Sequence, residues 1–484
     1  MALSLSSCLN SKQKEGEVLA KQYCSSCHLQ PMPSDLPQNV WKYSTLPYMG
    51  MMMGLDEEVK NLPDILSTYT ILKAPQPLIS QEDYDKIKAY YLAEAPEKVS
   101  DEPTTKYPIN SKLFEIQGIN LNNPTIPNFT CVKFDPVSKQ IIAGDQSNRV
   151  IWFLNNKGEI DHKLDNQDAL TNVHRSGNSL LMTFIGSTTQ ANPNTEGSIK
   201  QLNNGTKFQT ILQGVKRPLE GIEANLDSDS KPEIITCEFG FDKGGLSVWK
   251  KENSSYKKYV IDAQTGCTSV KIQDFNKDGL LDILALFAQG NERITLFINK
   301  GNLNFEPKNI LQFSPIWGTS SFDLADLNQD GQLDIITSAG DNADFSTVLK
   351  PFHGVRIYLN KGNFTFNSPI FFQQNGSTHV QSGDFDQDGD LDLLSIALFP
   401  NVSKNPQEQI LFIENQKGKF VPQGIPAFDQ GRFAVMDCAD IDADGDLDVV
   451  LGSHAVAKFA EGQFNPNWKN AKGITILKNL SIKK

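Results

Sequence analysis

Cys24-Ser25-Ser26-Cys27-His28 concentrates more reactive groups than any other five residues of the chain. Two thiols three residues apart with an imidazole directly after them form C-x-x-C-H, the attachment signature of a c-type haem. The thiols add across the two vinyl groups of the porphyrin, and His28 then reaches the iron as proximal ligand. A redox dithiol and half of a zinc site share the first four residues. The redox motif belongs beside a βαβ unit, which is not visible here, and structural zinc wants four ligands, yet no second close Cys/His pair exists. Met32, Met49, Met51, Met52 and Met53 follow as sources of a distal ligand. Met32 is too near His28 to cross the ring, and Pro47 in Leu46-Pro47-Tyr48-Met49-Gly50 fixes the chain, so Met49 is the expected ligand, with Met51 to Met53 as alternatives. A thioether there raises the potential relative to an imidazole.

A second chemistry recurs along the chain. Asp274-Phe-Asn276-Lys-Asp278-Gly-Leu-Leu-Asp282 returns as Asp326, Asn328, Asp330 and Asp334, as Asp384, Asp386, Asp388 and Asp392, and as Asp440, Asp442, Asp444 and Asp448. Carboxylates or amides at positions one, three, five and nine, with a carbonyl at seven, build an oxygen cage that suits calcium, and glycine at six permits the turn. Asn225, Asp227, Asp229 and Glu233 form a fifth copy, in which Ser230 replaces the glycine, so this site is expected to be weak. About four calcium ions, or five with the weak site filled, and one covalent haem c are the expected cofactors.

The elements that must carry these groups differ on the two sides of residue 100. Residues 11–98 read as helical: Lys12 to Tyr23 runs straight into Cys24, and Ser80 caps a helix from Glu82 to Ala95 with Tyr84, Ile87 and Tyr91 on one face. Pro63 to Tyr69 suits a short helix, and a Pro- and Met-rich stretch lies between. Residues 99–111 read as a linker. From 112 to 484 short strands alternate with Gly, Asn and Asp turns, and each acidic loop sits between two apolar strands at a period of roughly 50 residues, enough for a four-stranded propeller blade. Turns such as Ile298-Asn-Lys-Gly301 and Leu359-Asn-Lys-Gly362 close several units. Two weaker units precede them, around Phe134 to Gly158 and Asn178 to Leu202. Seven units predict a seven-bladed β-propeller, with strands near 112–119 and 473–480 sharing the blade that closes the ring.

Residues 11–98 resemble a small class I cytochrome c, with Gly16 and Tyr90 or Tyr91 placed where that family's first and last helices cross closely. The acidic repeats resemble FG-GAP or VCBS repeats. The two resemblances together imply a small all-α haem domain followed by an all-β propeller whose calcium is structural. They also imply that the acidic loops share one rim while longer connections share the other. Asp341, His353, His454, Lys458, Trp468 and Lys469 fall on or beside those longer connections, and Arg217, Glu220, Trp317, His379 and Arg432 lie nearby. A funnel walled by these side chains would suit a small-molecule or polysaccharide ligand.

The chain has 484 residues and a formal net charge of −12, which disfavours nucleic acid as a partner. No apolar run approaches the roughly 20 residues of a membrane span. Leu5-Ser6-Ser7-Cys8 resembles a bacterial lipobox, so residues 1–10 are read as a signal remnant with a lipid anchor at Cys8. Cys131, Cys237, Cys267 and Cys438 stand in apolar stretches and read as small buried thiols. The expected function is extracytoplasmic one-electron transfer to or from a redox partner protein, in the periplasm, on the outer membrane or outside the cell, with the propeller docking a partner or ligand. Two alternatives use the same parts: an oxidoreductase whose substrate sits on the propeller rim, and a calcium-dependent adhesion or carbohydrate-binding propeller. No catalysed reaction or catalytic residue is defined by these motifs.

Overall fold

The computed structural model describes residues 10–98, 105–121, 125–190, 192–203, 205–229, 231–340, 348–455, 468 and 471–482. Cys8, Asp341, Lys458 and Lys469 lie outside the described residues.

Asn10 caps the first helix, Ser11–Tyr23, in a reciprocal box with Gln13. Ser80 caps the last helix, Gln81–Glu94, by accepting the Asp83 N–H. The two helices cross at Gly16, where a Cβ would stand 2.0 Å from the Lys86 carbonyl oxygen and 3.0 Å from Tyr90 Cβ. Only hydrogen fits there. Gly16→Leu is therefore expected to force the helices apart and destabilise the helical unit by about 1–3 kcal/mol, the usual cost of overpacking. Urea unfolding followed by helical circular dichroism would measure it.

Between these helices the Pro- and Met-rich stretch is more helical than its composition suggests. Gln38–Val40 and Leu46–Met52 are α-helical, and the wide turn Trp41–Thr45 joins them, with Leu46 N–H donating to the Trp41 carbonyl. Pro47 falls in the first turn of its helix, where a missing N–H is tolerated. Pro63 precedes a 3₁₀ run, Asp64–Leu72.

Beyond residue 105 the described chain is a ring of seven four-stranded antiparallel sheets. Six follow sequence order, spanning 129–165, 170–215, 218–262, 267–312, 319–373 and 377–424. The seventh takes three strands from 433–479 and its outermost from Phe114–Ile119, which pairs with Ile474–Asn479 from Phe114↔Asn479 to Ile119↔Ile474. The N-terminal end of the ring is thus sewn to its C-terminal end, which leaves no open seam between first and last blade. Residues 105–110, expected as linker, run along the propeller: Tyr107 donates its hydroxyl to the Gln373 carbonyl (3.0 Å), and Gly424 N–H bonds the Pro108 carbonyl (2.8 Å).

The innermost strand of every blade carries a bulge near its start, from Phe129/Cys131 in the first to Phe433/Val435 in the seventh. Charged side chains on these strands link neighbouring blades around the axis. Glu220 accepts the Val270 N–H at 2.7 Å, Asp323 the Ser382 N–H at 2.9 Å, and Asp437 the Phe134 N–H at 2.8 Å. Lys271 and Lys133 pair with Asp323 and Asp437. Cys131, Cys237 and Cys267 are buried free thiols, and Cys438 is half-buried. Among the described residues no helix is long and apolar enough to cross a membrane.

Candidate functional site

The first helix delivers the C-x-x-C-H segment as a 3₁₀ turn, Cys24–Ser26. Ser26 donates its hydroxyl to the Tyr23 carbonyl at 2.7 Å, which holds the turn against the helix end. Neither thiol is in a disulfide. Cys27 is exposed, while Cys24 is half-buried beside Tyr91, and burial pushes its thiol up to about 11. The segment after the motif is stitched to the last helix: Tyr91 donates to the Pro31 carbonyl at 2.8 Å and accepts from Gln30. His28 Nδ1 lies 2.8 Å from the Leu29 carbonyl oxygen. A ring N–H at Nδ1 held this way leaves the Nε2 lone pair available to a metal, the arrangement that orients metal-binding imidazoles.

Two free thiols, an oriented imidazole and the exposed Leu29 that follows it fit a flat apolar group with a metal at its centre. The methionines divide between two apolar clusters. Met49, Met51 and Met52 pack with Tyr48, Leu66, Tyr69 and the propeller's Phe241. Met53 packs instead in the cluster of Cys24, Tyr23 and Trp41, together with the propeller's Ile316 and Val348. Met32 is mostly exposed.

Phe241, Ile316 and Val348 all lie on connections that leave a second strand or enter a first one. In an antiparallel meander those connections share the rim opposite the acidic loops, which join first strands to second. The helical unit therefore packs on the long-connection rim, with Tyr69 and Phe241 rings 5.1 Å apart.

Several rim side chains serve packing there. Arg217 is buried and donates to the Gly240 and Thr189 carbonyls, and Arg432 donates to Leu398 and His454 carbonyls beneath Phe399. Trp468 is buried with its indole N–H on the Phe428 carbonyl. Trp317 lies under the Arg356 guanidinium, 3.9 Å away. Burial pushes His379 and His454 down to about 4 and His353 well below the usual histidine range, while it raises Glu220. Two sites read from sequence as funnel walls, Arg217 and Arg432, thus brace the loops from inside.

On the opposite rim the five acidic loops repeat one geometry. The fourth position has positive φ in each (Ser228, Lys277, Gln329, Gln387, Ala443), and so does the sixth-position glycine of the last four. First-position Asp274 accepts the Asp278 and Gly279 N–H groups at 3.1 and 2.8 Å, and Asp326 and Asp440 do the same in their loops. In the Asp384 loop only one oxygen is used, by Gly389; Asp384 Oδ1 is buried with no partner. Ligand atoms of Asp227/Asp229/Glu233, Asp384/Asp386/Asp392 and Asp440/Asp442/Asp448 lie within 4.8 Å of one another. Burial, then the Asp386 charge, pushes the Asp392 carboxyl up to about 7, and burial raises Asp448 to about 6. Carboxylates crowded in this way, with Asp384 Oδ1 buried and unpartnered, fit a hard divalent cation.

The ninth position does more than the spacing implied. Asp282 accepts Phe275 N–H with one oxygen and Asn299 N–H with the other, at 3.0 and 2.8 Å. Asp334, Asp392 and Asp448 repeat this with Asn360, Asn415 and Asn479. Asn299 and Asn360 open Asn-Lys-Gly turns, Asn415 opens Asn-Gln-Lys-Gly and Asn479 precedes Leu480-Ser481, and the side chains of Asn299, Asn415 and Asn479 reach the Leu226, Leu327 and Phe385 carbonyls of the preceding blade. They were legible as a repeated turn letter but carried no ligand chemistry, so their role was missed.

Residues 274–337 and 343–395 match the family model described as FG-GAP-like repeat. The chain therefore carries FG-GAP-like repeats within a seven-bladed propeller. A search of curated proteins returns no significant match.

Proposed function

We propose that the chain is an extracytoplasmic one-electron carrier, with a haem held covalently by Cys24 and Cys27 and ligated by His28, and with a calcium-stabilised propeller as its docking scaffold. The observation that carries this reading is the His28 ring, bonded at Nδ1 to the Leu29 carbonyl directly after two free thiols. A haem there would supply reversible gain and loss of one electron. The protein's part is to hold the imidazole tautomer, cover one face with the apolar side chains around Cys24, and fix the unit on the propeller. The distal ligand falls to Met49 or to Met53, which shares the packing cluster of Cys24.

In acidic loops of the Asp274/Asn276/Asp278/Asp282 kind the ligand set would hold calcium, tying the first strand of a blade to its second. The ninth-position carboxylates already fasten the third strand to the same loop, so metal and backbone would act on one joint.

One observation favours a second reading, an oxidoreductase. The helical unit packs on the long-connection rim, beside which a substrate funnel would lie. Among the described residues no side-chain set there defines a reaction.

Protein produced in a host that matures c-type cytochromes is expected to be red and to keep its chromophore through denaturing electrophoresis. Colourless protein would end the redox reading and leave a docking propeller. Reduction of the chromophore by one of a panel of sugars, alcohols and aldehydes would select the oxidoreductase.

A further inference from the structure

The third strand of blades three to seven passes behind the acidic loop, and one register position repeats from blade to blade. Trp249 pairs with Ile234, Phe297 with Ile283, Tyr358 with Ile335, Ile413 with Leu393 and Leu477 with Val449. The residue after each of these is Lys250, Ile298, Leu359, Glu414 and Lys478. Blades four and five place an aliphatic side chain there. Blades three and seven place an ammonium, and blade six a carboxylate.

Both lysines are engaged by the loop. Lys250 Nζ bonds Asp227 and lies 2.9 Å from Asp229, and Lys478 Nζ bonds Asp442. Asp227 and Asp442 occupy the same third position of their loops, so the same contact arises twice from unrelated local sequence. Among the described residues three loops bring three carboxylates together, and of these only the Asp384 loop lacks such a lysine.

We infer that this single strand position decides which loops take up metal: lysine acts as a built-in counter-cation that excludes calcium from the Asn225 and Asp440 loops, and its absence opens the Asp274, Asp326 and Asp384 loops. The inference rests on the calcium reading of these loops. Its physical basis is direct. A fixed ammonium at the third-position carboxylate removes one ligand and repels a dication, whereas calcium affinity follows the net charge of the ligand set. Glu414 adds a negative charge at the same position, which makes the Asp384 loop the tightest of the five.

Calorimetric titration of the full chain, stripped with chelator and returned to metal-free buffer, tests this with calcium itself as the probe. Three strong equivalents are expected for the wild type. Lys250→Met and Lys478→Met should each add one equivalent, or tighten a weak one by about tenfold or more. The reciprocal Leu359→Lys should remove one, and its thermal response to calcium should shrink accordingly. Five equal sites in the wild type, or unchanged counts in all three folded variants, would overturn the inference and leave calcium binding intact. A wild type that takes up no calcium at about 1 mM, the range of extracellular modules, would overturn both.

Discussion

EDTA is expected to lower the melting temperature of the propeller by on the order of 10 °C, and added calcium to restore it. A ligand at 100 times its Kd stabilises the folded state by about 2.7 kcal/mol, so three occupied loops supply about 8 kcal/mol. A change of 1 kcal/mol moves the midpoint of a chain of 150–250 residues by roughly 2–4 °C, and somewhat less for a larger ring. Scanning calorimetry with and without chelator measures the shift, and superimposable traces would remove calcium from the account. Two substitutions separate metal from scaffold. Asp386→Asn changes a third-position group whose place is in the metal cage, so its cost should appear only with calcium present. Asp392→Ala also deletes the acceptor of two buried N–H groups, Asn415 and Phe385. At about 1–3 kcal/mol for each buried donor left unpaired, that variant should be destabilised even in EDTA.

That separation also marks how far the residues could be read without coordinates. Period and loop chemistry are local, so seven blades and their closing strand near 112–119 were legible, and the structure has them. The role of Asn299, Asn415 and Asn479 was not, because each bonds a carbonyl from the preceding blade 73–94 residues away in the chain, as with Asn299 to Leu226 (73 residues) and Asn479 to Phe385 (94 residues). Position alone made Arg217 and Arg432 look like ligand-binding groups, yet both are spent on loop carbonyls that no local pattern announces. The seat of the helical unit was equally hidden, since Phe241, Ile316 and Val348 come from separate connections and nothing in their immediate sequence sets them apart. The lysines at 250 and 478 were in plain sight, but only strand register shows that they occupy one position.

Replacing both Cys24 and Cys27 by serine is expected to abolish covalent haem and with it all visible absorbance that survives denaturation. Each thioether is one bond to the porphyrin, so a single variant should keep a weaker, one-armed attachment, and His28→Ala should lose the proximal ligand while the thiols remain. The effect is close to all-or-none and does not depend on the propeller, whose melting should be unchanged, because the C-x-x-C-H segment contributes only Cys24 to an apolar cluster. Methionine variants then locate the other face. Met53 packs with Cys24 and Tyr23, whereas Met49 packs towards Phe241. If Met53→Ala loses the weak long-wavelength sulfur-to-iron band of the oxidised protein and Met49→Ala keeps it, the distal side of the ring is the side that meets Ile316 and Val348, and the redox group faces the rim on which the unit is seated. If Met49→Ala alone loses the band, the ligand comes from the cluster that holds Phe241, and blade three is the nearest part of the propeller to the iron. Either result fixes which blade a docked partner must approach, since electron transfer falls steeply with distance and the propeller can help only from the side it already touches. Loss of the band in neither variant would remove both methionines from the iron and leave Met51 or Met52 to be tested in the same way.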